Sequence, residues 1–295
     1  MKRWLKWGGV VVLVLVVALG ALVATGRYLG EQRMARHYDI KVEPIVFRTE
    51  APAVERGRYL FNSRGCVDCH GANGGGATLA DDGKGLKLAG PNLTSGNARM
   101  AAYKPEDWVR SIRHGVRPDG RALRLMPSED YNRLTDDDLA SIVAYLRQLP
   151  AQTGNDNGTV QLPLPGRVAY GFGAIPEAVN KIDHSLPPAK PVAEGVTVEH
   201  GHYIAEMCAG CHGPKLAGGK IVGAPPDWPP AARIAPGEGS AFSRYKDVEA
   251  FVAMMRSGKR PDGTSIAVMP FGSLKTMSDT DLRALHMYLA QLPAP

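Results

Sequence analysis

Cys66-Val67-Asp68-Cys69-His70 and Cys208-Ala209-Gly210-Cys211-His212 decide the reading of this chain, and between them they use all four of its cysteines. Two thiols three positions apart share one helical turn. They are close enough to add to both vinyl groups of a single porphyrin, and the histidine that follows can place an imidazole nitrogen on its iron. Cys-X-X-Cys alone also serves as a redox dithiol or as half of a zinc site. A zinc site would have to join residues 66–69 to residues 208–211 and would leave both histidines without a role. The spacing therefore predicts two covalently bound haem c groups. Cys66 and Cys69 hold one, Cys208 and Cys211 the other, with His70 and His212 as iron ligands.

A second repeat runs in nearly the same register. Arg117-Pro118-Asp119-Gly120, leading to Met126-Pro127, returns as Arg260-Pro261-Asp262-Gly263, leading to Met269-Pro270. Thr135–Pro150 then aligns with Ser278–Pro293. Self-similarity at this length indicates a tandem pair of domains. Met126 and Met269 are the expected sixth iron ligands, since a thioether suits haem iron and raises its potential. Most methionines fill cores, and Met100, Met207, Met254, Met255, Met277 and Met287 are assigned to that role. Each half is expected to open on a short helix before its cysteine motif (55–64 and 199–207). Gly57 and Gly201 there permit close helix crossing. Each half closes on a helix capped by Thr135 or Ser278, with Asp138 or Asp281 three residues later. Leu139, Ile142, Val143 and Leu146 form one buried stripe, and Leu282, Leu285 and Leu289 form the other.

Gly57-Arg58-Tyr59-Leu60-Phe61, the first cysteine motif, Met126-Pro127 and Ala144-Tyr145-Leu146 resemble a class I cytochrome c domain, and residues 199–293 resemble a second. The resemblance implies a small helical fold whose first and last helices cross beside the haem. It also implies a proline carbonyl that orients each histidine ligand. Pro91 is the candidate in the first half, and Pro225 or Pro226 in the second. The expected architecture is all-α: two tandem class I cytochrome c domains behind one N-terminal transmembrane helix. Residues 1–30 form the signal anchor, 31–54 a juxtamembrane segment, 55–150 the first domain, 151–194 a Pro-rich linker and 195–295 the second domain. The Gly-rich insertion 71–85 is expected to be a surface loop.

Residues 8–25 carry no charge, with Lys2, Arg3 and Lys6 before them and Arg27 after. The run nearly spans a hydrocarbon core and is longer than the apolar region of a cleaved secretory signal, so a retained anchor is expected. Thioether attachment resembles what bacterial cytochromes undergo outside the cytoplasmic membrane. The expected location is that membrane, single-pass, with the haem domains in the periplasm. Much of the formal charge of +6 sits in the N-terminal segment, where it serves topology and contact with membrane lipid. Near-neutral domains exclude nucleic-acid binding. The linker should be extended and semi-rigid, with the apolar Val168, Tyr170, Phe172 and Ile175 lying against a haem domain or a partner. His114, His200 and His202 read as solvated. Arg117 and Arg260 are candidates for pairing with haem propionates, with a plain loop-face role as the alternative.

Two His/Met haems leave no open coordination position, so the chain is expected to carry electrons and not to be an enzyme. The resemblance implies a cytochrome subunit working between a periplasmic dehydrogenase and the respiratory chain. The alternative is the dihaem subunit of a haem-copper terminal oxidase. A dihaem peroxidase would need one haem without a methionine and acid-base groups beside it. A haem-based sensor would need a signalling module.

Overall fold

The computed structural model describes residues 2–221, 223–224 and 227–293. Helix α1 (Lys2–Ala35) carries the apolar run. It is long and apolar enough to cross a membrane, and its most apolar window is 0% buried, so it is not the core helix of a soluble unit.

The first helical unit contains α2 (Ala51–Ser63), α3 (Cys66–His70), strands β1 (Thr78–Asp81) and β2 (Lys87–Ala89), α4 (Ala98–Ala101), α5 (Pro105–His114) and α6 (Asp136–Gln148). Strand β3 (Thr159–Gln161) and helix α7 (Leu164–Gly171) follow. The second unit contains α8 (Val198–Ala205), α9 (Ala209–His212), α10 (Val248–Ser257), α11 (Phe271–Leu274) and α12 (Asp279–Gln291).

Each unit has its own hydrophobic core. The expected stripes are buried in both: Leu139, Ile142, Val143 and Leu146 in α6, and Leu282, Leu285 and Leu289 in α12. The two glycines do what their positions predicted. A Cβ on Gly57 would lie 1.8 Å from the Ser141 carbonyl oxygen, and one on Gly201 would lie 2.0 Å from that of Ala284. In both units the first and last helices therefore cross at backbone contact. Thr135 Oγ1 and Ser278 Oγ each accept from the backbone N–H three residues on, both at 3.0 Å, fixing the start of the last helix.

The chain is mostly helical but not all-α. Part of the 71–85 insertion forms β1, which pairs antiparallel with β2, and β3 adds a third antiparallel strand on the other side of β2. Asp82 Oδ1 accepts from Lys84 N–H at 2.7 Å and Leu86 N–H at 2.9 Å, building the turn. Three- and four-residue strands carry no legible alternation, and β2 gains its second neighbour only from a segment far along the chain.

The 151–194 stretch is likewise more structured than an extended linker. Val168, Tyr170 and Phe172 of its apolar cluster lie against the C-terminal part of α1, at Gly26 and Gly30, and not against a haem unit. The juxtamembrane segment also contributes to packing: Ile45 is 5% exposed in the first core, with Val42 and Phe47 beside it.

Candidate functional site

Each cysteine motif begins and ends on fixed backbone. Gly71 and Gly213 follow the two histidines at φ +73° and +77°, a conformation open to glycine. Above the first motif, a Cβ on Gly90 would lie 2.0 Å from the Cys69 carbonyl oxygen, so Gly90-Pro91 lies directly against it. His70 Nδ1–H donates to the Pro91 carbonyl at 2.9 Å. His212 Nδ1–H donates to the Ala232 carbonyl at 2.7 Å. Since a carbonyl only accepts, each bond puts the proton on Nδ1 and leaves Nε2 a bare lone pair for a metal. Burial pushes both imidazoles below their ordinary pKa, against the pull of the carbonyl bond, and so favours the neutral ligand form. Pro91 has the role expected of it. In the second unit the carbonyl belongs to Ala232, while Pro225 and Pro226 lie outside the described residues.

The methionine loops share one backbone form. Pro127 (φ −79°, ψ 66°) and Pro270 (φ −78°, ψ 64°) each centre an inverse γ-turn. The turns close through Ser128 N–H to Met126 O at 2.9 Å and Phe271 N–H to Met269 O at 2.8 Å. Met126 lines a cavity of about 170 Å³ together with Cys66, Cys69 and His70. Met269 and Cys208 border the second core. Met100, Met254, Met255 and Met277 are buried filler, as expected.

The first cavity also presents a donor without a partner. Trp108 Nε1 is buried, makes no hydrogen bond and lines the cavity wall. Arg117 lines the same wall, its Nε 3.4 Å from the Asp119 carboxylate without a hydrogen bond to it. A group carrying carboxylates would satisfy the Trp108 N–H and could share the Arg117 guanidinium. The donor set thus fits a porphyrin with propionates: two thiols, an imidazole lone pair, a thioether, the orphaned Trp108 N–H and the Arg117 guanidinium around an apolar slot. Burial pushes the Cys66 and Cys208 thiols up to about 12 and Cys69 up to about 11, so as free groups they would be inert thiols. Among the described residues, no three His, Cys, Asp or Glu side chains gather as a metal cluster, which removes the joined zinc site. In the second unit Phe251 stands where Trp108 would be, and Arg260 spends its guanidinium on Thr264 and Ser265.

The two units cross-brace each other beside these motifs. Tyr59, two residues after Gly57, accepts from Ser278 N–H at 2.9 Å and donates to Asp281 Oδ2 at 2.6 Å. Tyr203, two residues after Gly201, accepts from Thr135 N–H at 3.3 Å and donates to Asp138 Oδ2 at 2.7 Å. Each unit's first helix thereby caps the other unit's last helix. Arg64 Nη2 (2.8 Å) and His200 Nε2 (2.8 Å) complete the shell of Asp281, and Arg56 Nε (2.9 Å) that of Asp138.

Next to them, Ser273 Oγ donates to Asp68 Oδ2 of the first motif at 2.6 Å. At the equivalent contact the carboxylate changes sides. Asp130, after the first methionine loop, sits against Gly210 of the second motif, where a Cβ would lie 1.9 Å from its Oδ1. Both cysteine motifs therefore border the interface between the units.

Sequence reasoning missed this interface. His200 is 1% exposed and bonded to Asp281, not solvated. His114 is also buried, its Nδ1 3.0 Å from His184 Nδ1. His202 is exposed as expected. The only trace in the sequence was the tyrosine two places after each crossing glycine.

A mostly helical chain with thiol pairs, oriented histidines and an apolar slot that joins thiols, imidazole and thioether defines a c-type cytochrome. Residues 52–146 and 199–289, more than half of the chain, match the family described as Cytochrome C oxidase, cbb3-type, subunit III. The chain belongs to this cytochrome c family, and membership carries covalently bound haem c. It is similar to the fructose dehydrogenase cytochrome subunit of Gluconobacter japonicus (27% identity, 85% of this chain, 55% of the relative). It is also similar to the alcohol dehydrogenase (quinone) cytochrome c subunit of Gluconobacter oxydans (26%, 82% and 55%) and to the gluconate 2-dehydrogenase cytochrome c subunit of Pantoea cypripedii (26%, 82% and 60%). The chain thus spans somewhat over half the length of these relatives.

Proposed function

We propose that this chain is a membrane-anchored dihaem cytochrome c that passes electrons from a periplasmic dehydrogenase toward the respiratory chain, with no catalysis of its own. The observation that carries this is the doubled site: two cysteine motifs, each with its histidine turned by a carbonyl and each with a methionine loop of the same backbone form. Similarity over more than four fifths of the chain to cytochrome subunits of three different dehydrogenases supports the partner class.

In this reading Cys66, Cys69, Cys208 and Cys211 form the thioethers, and His70, Met126, His212 and Met269 are the axial ligands. Haem c, when bound, takes up and gives up single electrons. Pro91 and Ala232 hold the imidazoles in the ligating tautomer, Trp108 and Arg117 offer N–H groups to propionates, and the apolar cavity wall excludes water. The paired motifs at the interface suit transfer between two centres within one chain. Helix α1 is the anchor. The backbone contact of α7 with Gly26 and Gly30 supports its retention in the mature protein, because loss of α1 would strip that packing.

The test is gene deletion followed by oxygen uptake on different periplasmic substrates, with a haemochrome count on the purified chain. Loss of uptake on one substrate and two haems per chain are expected. Loss on every substrate served by one oxidase would assign the chain to that oxidase instead. A count of one haem would overturn the doubled site.

A further inference from the structure

Helix α7 meets α1 where the uncharged run ends. A Cβ on Gly171 would lie 1.9 Å from the Gly26 carbonyl oxygen, and one on Gly26 would lie 2.8 Å from Val168 and 3.0 Å from the Phe172 ring. Gly30 faces Tyr170 and the Arg167 carbonyl oxygen. Arg33 donates to the Tyr170 carbonyl and lies over the Tyr170 ring, 4.7 Å from its centroid. These contacts fix the height of α7 along α1. Its tip, Phe172-Gly173-Ala174, is exposed, with Phe172 48% exposed. From Val168 to Pro176 there is no charged side chain.

The depth of this tip follows from helix geometry. Residues 8–25 measure roughly 27 Å at about 1.5 Å per residue, and a hydrocarbon core is about 30 Å thick. Gly26 therefore stands at the hydrocarbon boundary or just inside it. The Phe172 ring, which touches that position, stands at the same depth. Tyr28, 61% exposed, is two residues farther along α1. Aromatic rings prefer this layer because they offer an apolar body to the chains and a polarisable edge to the headgroups.

We infer that the tip of α7 is a second membrane contact, with Phe172, Gly173 and Ala174 lying in the outer boundary of the bilayer against lipid. The inference rests on α1 being a membrane span. One helix alone would act as a swivel. A second contact off the helix axis restricts rotation and holds the helical units in one attitude above the bilayer, which narrows the search for a membrane-bound electron partner.

The test uses the full-length holoprotein in phosphatidylcholine vesicles. Haem attachment occupies the four native thiols, so an introduced cysteine can be spin-labelled alone, with the unsubstituted protein as the blank. Phe172→Cys is compared with Val16→Cys, in the middle of the run, and with Glu238→Cys, exposed in the second unit. Collisions with oxygen report lipid, and collisions with a water-soluble nickel chelate report water. The label at 172 is expected to gain oxygen collisions and lose nickel collisions relative to 238, with 16 shifted farther in the same direction. If 16 reads lipid while 172 matches 238, the inference is overturned and the span stands. If 16 reads water, the span reading fails and the inference fails with it.

Discussion

Replacing Asp281 with Asn should be the most damaging single-atom change at the interface. Asp281 is 0% exposed and accepts from Tyr59, Arg64 and His200 at 2.6–2.8 Å. Burial pushes its carboxyl up, but the His200 hydrogen bond, the Arg64 charge and the Tyr59 hydroxyl outweigh it and hold it well below the usual carboxylate range. The substitution leaves the Arg64 guanidinium, only 4% exposed, with no counter-charge. Breaking a buried pair from one side costs about 3–5 kcal/mol.

The mirror change Asp138→Asn supplies the internal control. Its partner Arg56 is 25% exposed and also reaches Glu194 at 3.2 Å. Solvent and the second carboxylate compensate there, so about 1 kcal/mol is expected. The assay is guanidinium unfolding of the detergent-solubilised holoprotein at pH 7, followed by far-UV circular dichroism. The pKa of Asp281 is depressed on folding, so its contribution is complete above the unfolded carboxyl value of about 3.9 and is lost as pH falls below it. Asp281→Asn should therefore also flatten the acid limb of the stability curve. Equal losses for the two variants, or a loss under about 1 kcal/mol for Asp281→Asn, would refute the argument that burial sets the difference.

Asp130 gives the opposite pH dependence. Burial, then the Glu129 charge, push its carboxyl up to about 7. Its contribution is therefore present below about pH 3.9 and lost as pH rises to about 7. Asp130→Asn should remove that slope from melting curves recorded between those values, and an unchanged slope would discard the buried-acid reading. Gly201→Ala forces a Cβ against the Ala284 carbonyl and should cost at least about 1–3 kcal/mol; an unchanged urea midpoint would show that α8 and α12 part easily. Met126→Ala should admit carbon monoxide at the first haem only, and Met269→Ala at the second only, read from the visible spectrum of the reduced protein. Continued exclusion in both would remove the methionines as ligands.

The sequence alone determined what is local or repeated. Cys-X-X-Cys-His needs one helical turn, so its chemistry is complete within five residues. The capped last helices and their apolar stripes are fixed by the helical period, and Gly57 and Gly201 announced a crossing because only the absence of a side chain allows it. The repeat alone places Met126 and Met269 in equivalent loops.

Tertiary structure decided everything that depends on partners distant in the chain. Ala232, not a proline, orients His212, because the loop path selects whichever carbonyl arrives at the imidazole and any residue can supply one. Tyr59 meets Asp281 and Tyr203 meets Asp138 across units, and neither the helical period nor the repeat encodes such a pair. Asp281 read as a cap until Tyr59 and Arg64 of the other unit closed on it, and His200 read as solvated until α12 brought Asp281 to it. The short sheet exists because β3 returns to β2, and α7 leaves the linker for α1 because Gly26 and Gly171 let two backbones touch.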